Sequence, residues 1–296
     1  MTANSARAAQ GRLPLTYPFD WQEFDTFDYP LDEQGIPKFY EGKKLGWRYN
    51  HVNTVQYGLH FLHRYALHAE EASLRHVKNI TRWLIENFRD WRNGIGGWIY
   101  DYSLDFYGPQ APWISALSQA QGISLLLRAS QIFPDPRIEE IAQRAYRAFL
   151  FPVKEGGVVS CFPDGSPVFE EYPTDPPSQV LNGHIYVLIA IYDFAKFWDD
   201  AAAFDLFYRA VLGLKNNLHR YDTGFWNYYD LHPTKRLTAP MYVKVHIRLL
   251  HILAELSGDA FFRTVAARWQ TYLNNPVCKL RWLVGKSFEK IRLRTW

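Results

Sequence analysis

The chain has 296 residues, of which 48% are apolar and 17% aromatic, and it carries a formal net charge of +3. This length and composition allow a large core in one large domain or two small ones. So small a charge argues against a nucleic-acid partner, and two cysteines are too few for a disulfide framework or a metal cluster.

The sequence shows neither a membrane-spanning segment nor a signal-peptide pattern. No apolar run reaches the ~18 residues of a membrane span, and the first residues, MTANSARAAQGRLPL, lack an apolar stretch of signal-peptide length. We therefore expect a chain without a membrane span in a reducing, cytoplasmic compartment.

Residues 1–50 are rich in Pro, Gly, Tyr and Asp and include the turn-forming stretch EQGIPKFYEGKKLG. This composition predicts an extended N-terminal arm with turns rather than a separate domain.

Residues 51–278 contain four successive pairs of predicted helices, and the two helices of each pair have different patterns. The first helix of each pair is apolar on nearly all sides, as in PSQVLNGHIYVLIAIYDFAKFW, and the second is amphipathic, as in PRIEEIAQRAYRAFL. All-round apolar helices are buried, whereas one-sided helices face solvent. Gly58, Gly122, Gly183 and Val245 recur at a spacing of about 62 residues, as repeats do. These patterns predict an all-α fold, an incomplete (α/α)4 toroid of four helical hairpins.

Three stretches rich in glycine and aromatic residues precede the later inner helices: GGWIYDYSLDFYG, GGVVSCFPDGSPVFEEY and TGFWNYYDLHP. Their partial alternation predicts short β-hairpins. In a toroid of repeated hairpins these stretches lie at the same rim and face one cleft. Glu171 and Tyr172 would then stand at its mouth, in a loop that three nearby prolines make rigid.

Carboxyl and phenol groups are the candidate catalytic groups of this cleft, namely Glu171, Tyr172, Tyr229 and Tyr242. Both group types can give or take a proton once their pKa is tuned. A tyrosine, with an ordinary pKa near ~10, needs a cationic neighbour to act as a base. We interpret the adjacent Glu170 as a solvated side chain.

Exposed aromatic rings and cations near the cleft are the candidate contacts for a sugar. The side chains expected to bind the substrate are Tyr49, Trp98, Tyr100, Arg236, Lys244 and His246. Residue chemistry alone leaves three reactions open: hydrolysis of a glycoside by two carboxyls, polyuronide elimination, and epimerisation through a carbanion. None of the patterns calls for a metal or a cofactor.

Several segments resemble the C-terminal domain of D-glucuronyl C5-epimerases, whose animal members act on heparosan. They are VNTVQYGL, PWISALSQAQGISLLLRA, EEYPTDPPSQVLNGHIYVLIAIYD, YDTGFWNYYDL and RWQTYL, in order between about Gly35 and Tyr272. The resemblance implies inversion of C5 in D-glucuronate residues of a glycan to give L-iduronate. It also implies that Glu171 is the catalytic glutamate, that Tyr172, Tyr229 and Tyr242 are the motif tyrosines, and that the protein is a homodimer.

One position departs from the family pattern. An arginine follows Tyr-Asp-Leu in the family, whereas His232 stands there in this chain. Arg236, Lys235 or Lys244 would have to replace it as the clamp for the substrate carboxylate. The alternatives are a lyase or glycoside hydrolase on the same toroid, or a non-catalytic glycan-binding protein.

Residues 279–296 contain six Lys or Arg and a single acid, Glu289. We interpret this segment as a solvated basic tail. The alternative is a contact with a polyanion or a membrane surface.

Overall fold

The structure, a computed structural model, describes residues 11–294 and is predominantly helical, as the sequence predicts. The helices are α1 (His51–His68), α2 (Glu71–Asn87), α3 (Ala116–Ala129), α4 (Pro136–Tyr146), α5 (Leu181–Trp198), α6 (Ala201–Asn217), α7 (Pro240–Ser257), α8 (Phe261–Asn274) and α9 (Pro276–Arg294). None of these described helices is both long enough and apolar enough to cross a membrane.

Short antiparallel strand pairs accompany the helices. They are β1 (Phe39–Tyr40) with β2 (Trp47–Arg48), β3 (Arg89–Asp90) with β4 (Gly96–Gly97), β5 (Ile99–Tyr100) with β6 (Trp113–Ile114), and β7 (Val159–Cys161) with β8 (Pro167–Phe169).

Consecutive helices form four hairpins: α1 packs on α2, α3 on α4, α5 on α6 and α7 on α8. The first helices of the hairpins pack side by side in the order α1, α3, α5, α7. Every residue of α3 is buried, whereas α4 buries only the predicted face, Ile138, Ile141, Ala142, Ala145 and Tyr146. The pair α5 and α6 shows the same contrast, whereas α1 and α7, the first helices of the outer hairpins, bury only 8 and 9 of their 18 residues.

Local side chains set several helix ends. Asp135 and Asp200 accept hydrogen bonds from backbone N–H groups in the first turns of α4 and α6, which otherwise lack partners. Proline begins both α4 and α7, where no N–H donor is required. Gly258, with a φ of 73°, follows α7 in the left-handed region.

The three predicted rim hairpins have different outcomes. The stretch 156–172 contains the β7–β8 hairpin. The first stretch is not a hairpin by itself, because its strand β5 pairs with β6 beyond the stretch, across a loop that contains Gly108 and Pro109. The third stretch has only isolated bridges, Asp222 with Asn227 and Tyr228 with Leu237. The prediction of three equivalent hairpins is therefore wrong, although all three stretches reach the same end of the helices.

The N-terminal arm is extended, but it is part of the core. Tyr17, Phe19, Trp21 and Phe27 are all buried. Trp21 and Phe19 pack against the ring of Tyr186 on α5, so residues 11–50 cover the inner helices.

The basic C-terminal segment is largely exposed to solvent, as expected, but it forms an ordered helix. Helix α9 begins at Pro276, so the predicted boundary between 278 and 279 falls inside it. Trp282 stacks near Trp226, with ring centroids 5.7 Å apart, and its indole N–H donates to the Thr238 carbonyl at 2.9 Å. This packing orders the segment against residues 225–238.

Candidate active site

One open cleft of about 490 Å³ lies where the first turns of α1, α3, α5 and α7 converge. The arm closes it on the opposite side, and its volume falls in the ~300–1,000 Å³ range of small-molecule sites. The lining includes all four side chains that the sequence analysis proposed as catalytic, Glu171, Tyr172, Tyr229 and Tyr242. The predicted convergence of these side chains is therefore observed.

Glu171 is buried in the wall of this cleft, with only 6% of its surface exposed. Its Oε2 atom has no hydrogen-bond partner. Burial raises the pKa of the Glu171 carboxyl from 4.5 to about 7, and the Tyr172 hydroxyl only partly offsets this. The carboxyl can therefore exchange a proton near neutral pH.

Gly183 makes room for Glu171 in the first turn of α5. A Cβ atom at position 183 would lie 2.6 Å from Oε2 and 2.9 Å from Cβ of Glu171. The glycine that the repeat pattern singled out thus lets the carboxyl lie directly on the helix.

Glu170 is fully buried, which corrects its interpretation as a solvated side chain. Its Oε2 accepts hydrogen bonds from Ser178 Oγ at 2.6 Å, Ser178 N at 3.0 Å and Gln179 N at 2.9 Å, and its Oε1 accepts one from Ser160 Oγ. Burial raises the pKa of Glu170, and these donors lower it in part. The network joins β7 to the loop before α5 and fixes the backbone that carries Glu171.

The tyrosines form the rest of the reactive wall. The rings of Tyr229 and Tyr242 meet edge to face, with centroids 5.3 Å apart. Burial, and next the Glu171 carboxylate, raise the pKa of Tyr172, Tyr229 and Tyr242. These phenols are therefore protonated at neutral pH and can donate hydrogen bonds. Tyr242, which is 36% exposed, is the one among them with open access to solvent.

The predicted substrate-binding side chains divide into two groups. Tyr100 lines the cleft. Trp98 does not, because it is completely buried against Gly122 and donates to the Leu84 carbonyl at 2.9 Å. Tyr49 lies outside the cleft, where it donates to Asp32 at 2.7 Å.

The remaining predicted contacts are also displaced from the cleft. Lys244 is exposed on α7 and is not part of the lining. His246 is buried behind Tyr229, with ring centroids 6.1 Å apart and both ring nitrogens unpartnered, and burial lowers its pKa to about 3. This imidazole is neutral and acts as packing for Tyr229.

Arg236 lies one layer behind the cleft wall. Its guanidinium is 4.4 Å from the ring centroids of both Phe106 and Tyr107 and 3.6 Å from Oδ2 of Asp230. Tyr107 also donates to Asp230. Burial raises the pKa of Asp230 to about 6, although the hydrogen bond from Tyr107 and the charge of Arg236 lower it in part. Arg236 thus neutralises a buried carboxyl, and Phe106 separates it from the lining.

The N-terminal arm contributes a wall that sequence reasoning missed. Its cleft-lining side chains are Trp21, Phe24, Asp25, Tyr29, Glu41 and Asn50. The sequence contained no indication of this wall, because a turn-rich segment has no periodicity that shows which side chains point toward the core.

Charge in the cleft is unexpectedly one-sided. The described lining contains three carboxyl groups, from Asp25, Glu41 and Glu171, but no Lys or Arg. Its neutral donors include amides and a hydroxyl from Asn53, Gln56, Asn182 and Ser115. Asn182 Oδ1 and Ser115 Oγ are buried without partners. Between residues 11 and 294, no three His, Cys, Asp or Glu side chains are grouped as metal ligands.

Comparison with known proteins gives this geometry a context. The chain is 34% identical over 211 residues to the D-glucuronyl C5-epimerase of Caenorhabditis elegans, covering 64% of this chain and 33% of that protein. It is 33% identical over 176 residues to an uncharacterized protein of Methanocaldococcus jannaschii, covering 58% of this chain and 56% of that protein. The chain thus spans about a third and about half of these two relatives.

Among solved structures, a GH76 α-mannanase of Bacteroides thetaiotaomicron shares the fold. It aligns with 79% of this chain and 57% of its own, at a TM-score of 0.53 and 8% identity. So low an identity compares folds alone.

The family with the description "D-glucuronyl C5-epimerase C-terminus" matches residues 92–271, which is more than half of the chain. This span includes β7, β8 and the four candidate catalytic residues. It confirms the resemblance seen in the sequence, and the chain belongs to this family.

Proposed function

We propose that the protein is an isomerase that inverts C5 of D-glucuronate residues in a polysaccharide or glycan. The observation that carries the proposal is the pairing of Glu171, whose free Oε2 belongs to a carboxyl with a pKa of about 7, with the phenol of Tyr242 in one cleft. Inversion at one carbon needs two groups of this kind, one on each face of the sugar ring.

In the proposed reaction the Glu171 carboxylate removes the C5 proton, and the Tyr242 phenol returns a proton to the opposite face. The electron pair left on C5 delocalises into the substrate carboxylate, whose growing charge needs fixed donors. Asn182, Tyr229 and Tyr172 line the same cleft as Glu171 and are suited to this role. The Glu171 carboxyl then releases the proton that it took, and Tyr242, which is partly exposed, regains one, so that both groups return to their starting states by exchange with water.

Neutral donors take the place of the family's arginine in this proposal. His232 stands at that position, and Arg236 lies behind Phe106. We propose that the amide and phenol groups of the lining hold the substrate carboxylate.

The experiment is proton exchange. The protein is incubated with heparosan in D2O, and deuterium at C5 together with iduronate signals is followed by NMR. Glu171→Gln and Tyr242→Phe should each slow exchange by about a hundredfold or more while heparosan still binds. The matched controls, Glu255→Gln and Tyr208→Phe, change exposed residues of α7 and α6 and should exchange at the normal rate. Binding without any C5 exchange by the unmodified protein would refute the proposal.

A second candidate is glycoside hydrolysis. Asp25 and Glu41 bring further carboxyls into the cleft of Glu171, and hydrolases use two such groups. The same incubation distinguishes the reactions: new reducing ends would indicate a hydrolase, ultraviolet absorbance from an unsaturated sugar would indicate a lyase, and deuterium alone indicates an epimerase.

A further inference from the structure

Helix α9 exposes a continuous apolar face to solvent. Five side chains spaced three or four residues apart form it, and we call them the α9 stripe: Val277, Leu280, Val284, Phe288 and Ile291. Between 50% and 69% of each side chain is exposed. At a rise of ~1.5 Å per residue the stripe runs for about 20 Å. A patch of this kind on an otherwise soluble surface marks a binding face.

The opposite face of α9 is fully engaged, so the stripe is not needed for packing. Lys286 donates to the Leu237 carbonyl at 2.7 Å, and Glu289 accepts from the Leu237 N–H at 2.8 Å. Gly285 lies so close that a Cβ atom there would be 2.7 Å from the Leu237 side chain. The helix is therefore held in place with its stripe pointing outward.

Cations border the stripe along both edges. Lys279 and Lys290 lie along one edge and are exposed, and Arg281 lies along the other, stacked at 4.0 Å on the ring of Phe225. Glu289 is the single acid of α9, and it is buried and paired with Lys286 at 2.6 Å. The solvent-facing part of α9 is thus apolar in the middle and positive at its rims.

From this arrangement we propose that α9 docks the protein onto an anionic lipid bilayer. A helix that lies flat in a membrane interface has an apolar face to enter the acyl boundary and flanking Lys or Arg to meet the phosphates. A second copy of the chain fits less well, because pairing two stripes would bring cations against cations with no exposed acid on α9 to compensate. The helix lies on the membrane in this proposal and does not span it.

The docking face is separate from the cleft but close to its wall. Residues 225–238, on which the inner face of α9 packs, lead from Trp226 through Tyr229 to the start of α7. Docking would therefore hold the catalytic cleft near the membrane. The proposal does not depend on the epimerase reaction, since binding is measured without a glycan.

The test uses the full chain and two kinds of vesicle. We expect the protein to sediment with vesicles of equal parts phosphatidylcholine and phosphatidylglycerol, to bind pure phosphatidylcholine at least about tenfold more weakly, and to be released by salt. Failure of the unmodified protein to bind the mixed vesicles would overturn the proposal.

Variants locate the contact. Leu280→Ser, Val284→Ser and Phe288→Ser together should weaken binding to mixed vesicles at least about tenfold, because the apolar contact is lost. The double variant Lys279→Gln with Lys290→Gln should bind mixed vesicles about fivefold or more weakly, and its binding to pure phosphatidylcholine should not change. The matched control is Tyr208→Ser with Leu212→Ser, exposed on α6, which should bind normally. Circular dichroism checks that every variant is folded.

Two outcomes would contradict the membrane proposal even if the protein sediments. One is normal binding by the triple serine variant. The other is a dimer, measured by light scattering without vesicles, that the triple variant converts to monomers; the stripe would then be covered by a second copy. A monomeric protein whose binding depends on both the stripe and the lysines supports the proposal.

Discussion

Glu170 and Glu171 are adjacent acids with opposite environments. Four donated hydrogen bonds fix the carboxyl of Glu170, whereas Oε2 of Glu171 has no partner. An unpaired buried oxygen is costly, so the carboxyl of Glu171 contrasts with that of its neighbour, whose hydrogen bonds are all made within the protein. The sequence identified Glu171 through its motif, but it could not show that Glu170 is buried, since that depends on Ser160 and Ser178 from other segments.

Glu171 should make stability depend on pH in a defined direction. Its folded-state pKa of about 7 lies above the ordinary 4.5, so the folded protein favours the protonated acid. The cost of ionisation is absent below about pH 4.5, grows as pH rises and is complete above about pH 7. Glu171→Gln should therefore stabilise the protein near about pH 8 by up to about 3 kcal/mol, and hardly at all near about pH 4.

Urea unfolding at both pH values measures this difference. Glu255→Gln, exposed on α7, is the control and should change stability at neither pH. An equal effect of Glu171→Gln at high and low pH would mean that the carboxyl is not the titrating group.

At the scale of elements, glycine positions in the inner helices receive side chains from the preceding rim. Gly122 on α3 receives the ring of Trp98, and Gly183 on α5 receives the carboxyl of Glu171. The same repeated position thus accommodates a packed indole ring in one hairpin and the carboxyl of a candidate catalytic residue in the next. The periodicity of the sequence predicted these helices because helix burial is a local pattern, whereas strand partners at the rim depend on distant residues.

Replacing Gly183 should separate activity from stability. In Gly183→Ala the new Cβ would meet Oε2 of Glu171 at 2.6 Å, so the carboxyl must move. Alanine favours the helix by about 0.5–1 kcal/mol, which offsets part of the clash. We expect C5 exchange to fall at least about tenfold with little change in the free energy of unfolding.

Gly122→Ala is the comparison, because it meets the Trp98 ring at 2.4 Å, away from the cleft. The Gly122→Ala variant should have a lower free energy of unfolding in urea, whereas the part of it that is folded should catalyse C5 exchange at the normal rate. Normal exchange by Gly183→Ala would show that the position of Glu171 is not critical.

At the scale of the whole molecule, a buried ion pair joins two inner helices to the N-terminal arm. Arg128 on α3 donates to Asp193 on α5 at 2.6 and 2.9 Å, and its Nε donates to the Pro14 carbonyl of the arm at 3.0 Å. Both charged side chains are at most 5% exposed. A single arginine therefore ties two inner helices to the arm.

Breaking this pair should destabilise the fold and release the arm. Arg128→Met leaves the Asp193 carboxylate buried without its cation, which costs about 3–5 kcal/mol. The double variant Arg128→Met with Asp193→Leu removes both charges and should recover part of that loss in urea unfolding. Limited proteolysis should cut residues 11–50 faster in both variants; equal stability of the single and double variants would argue against the role of charge.

The arm also marks the limit of prediction from sequence. The helical hairpins, the family and the four candidate catalytic residues followed from periodicity and motifs. Trp21, Asp25 and Glu41 did not, because their position in the cleft depends on contacts with helices far along the chain.

This wall of the cleft has a consequence for biosynthesis. Residues 11–50 leave the ribosome before any of the helices against which they pack, and a nascent chain emerges from its N-terminus. Residues 11–50 must therefore wait for α1, α3 and α5, on which they pack, before they find their place. A helical intermediate with the arm undocked would lack one side of the cleft, so the complete cleft forms only when the arm docks.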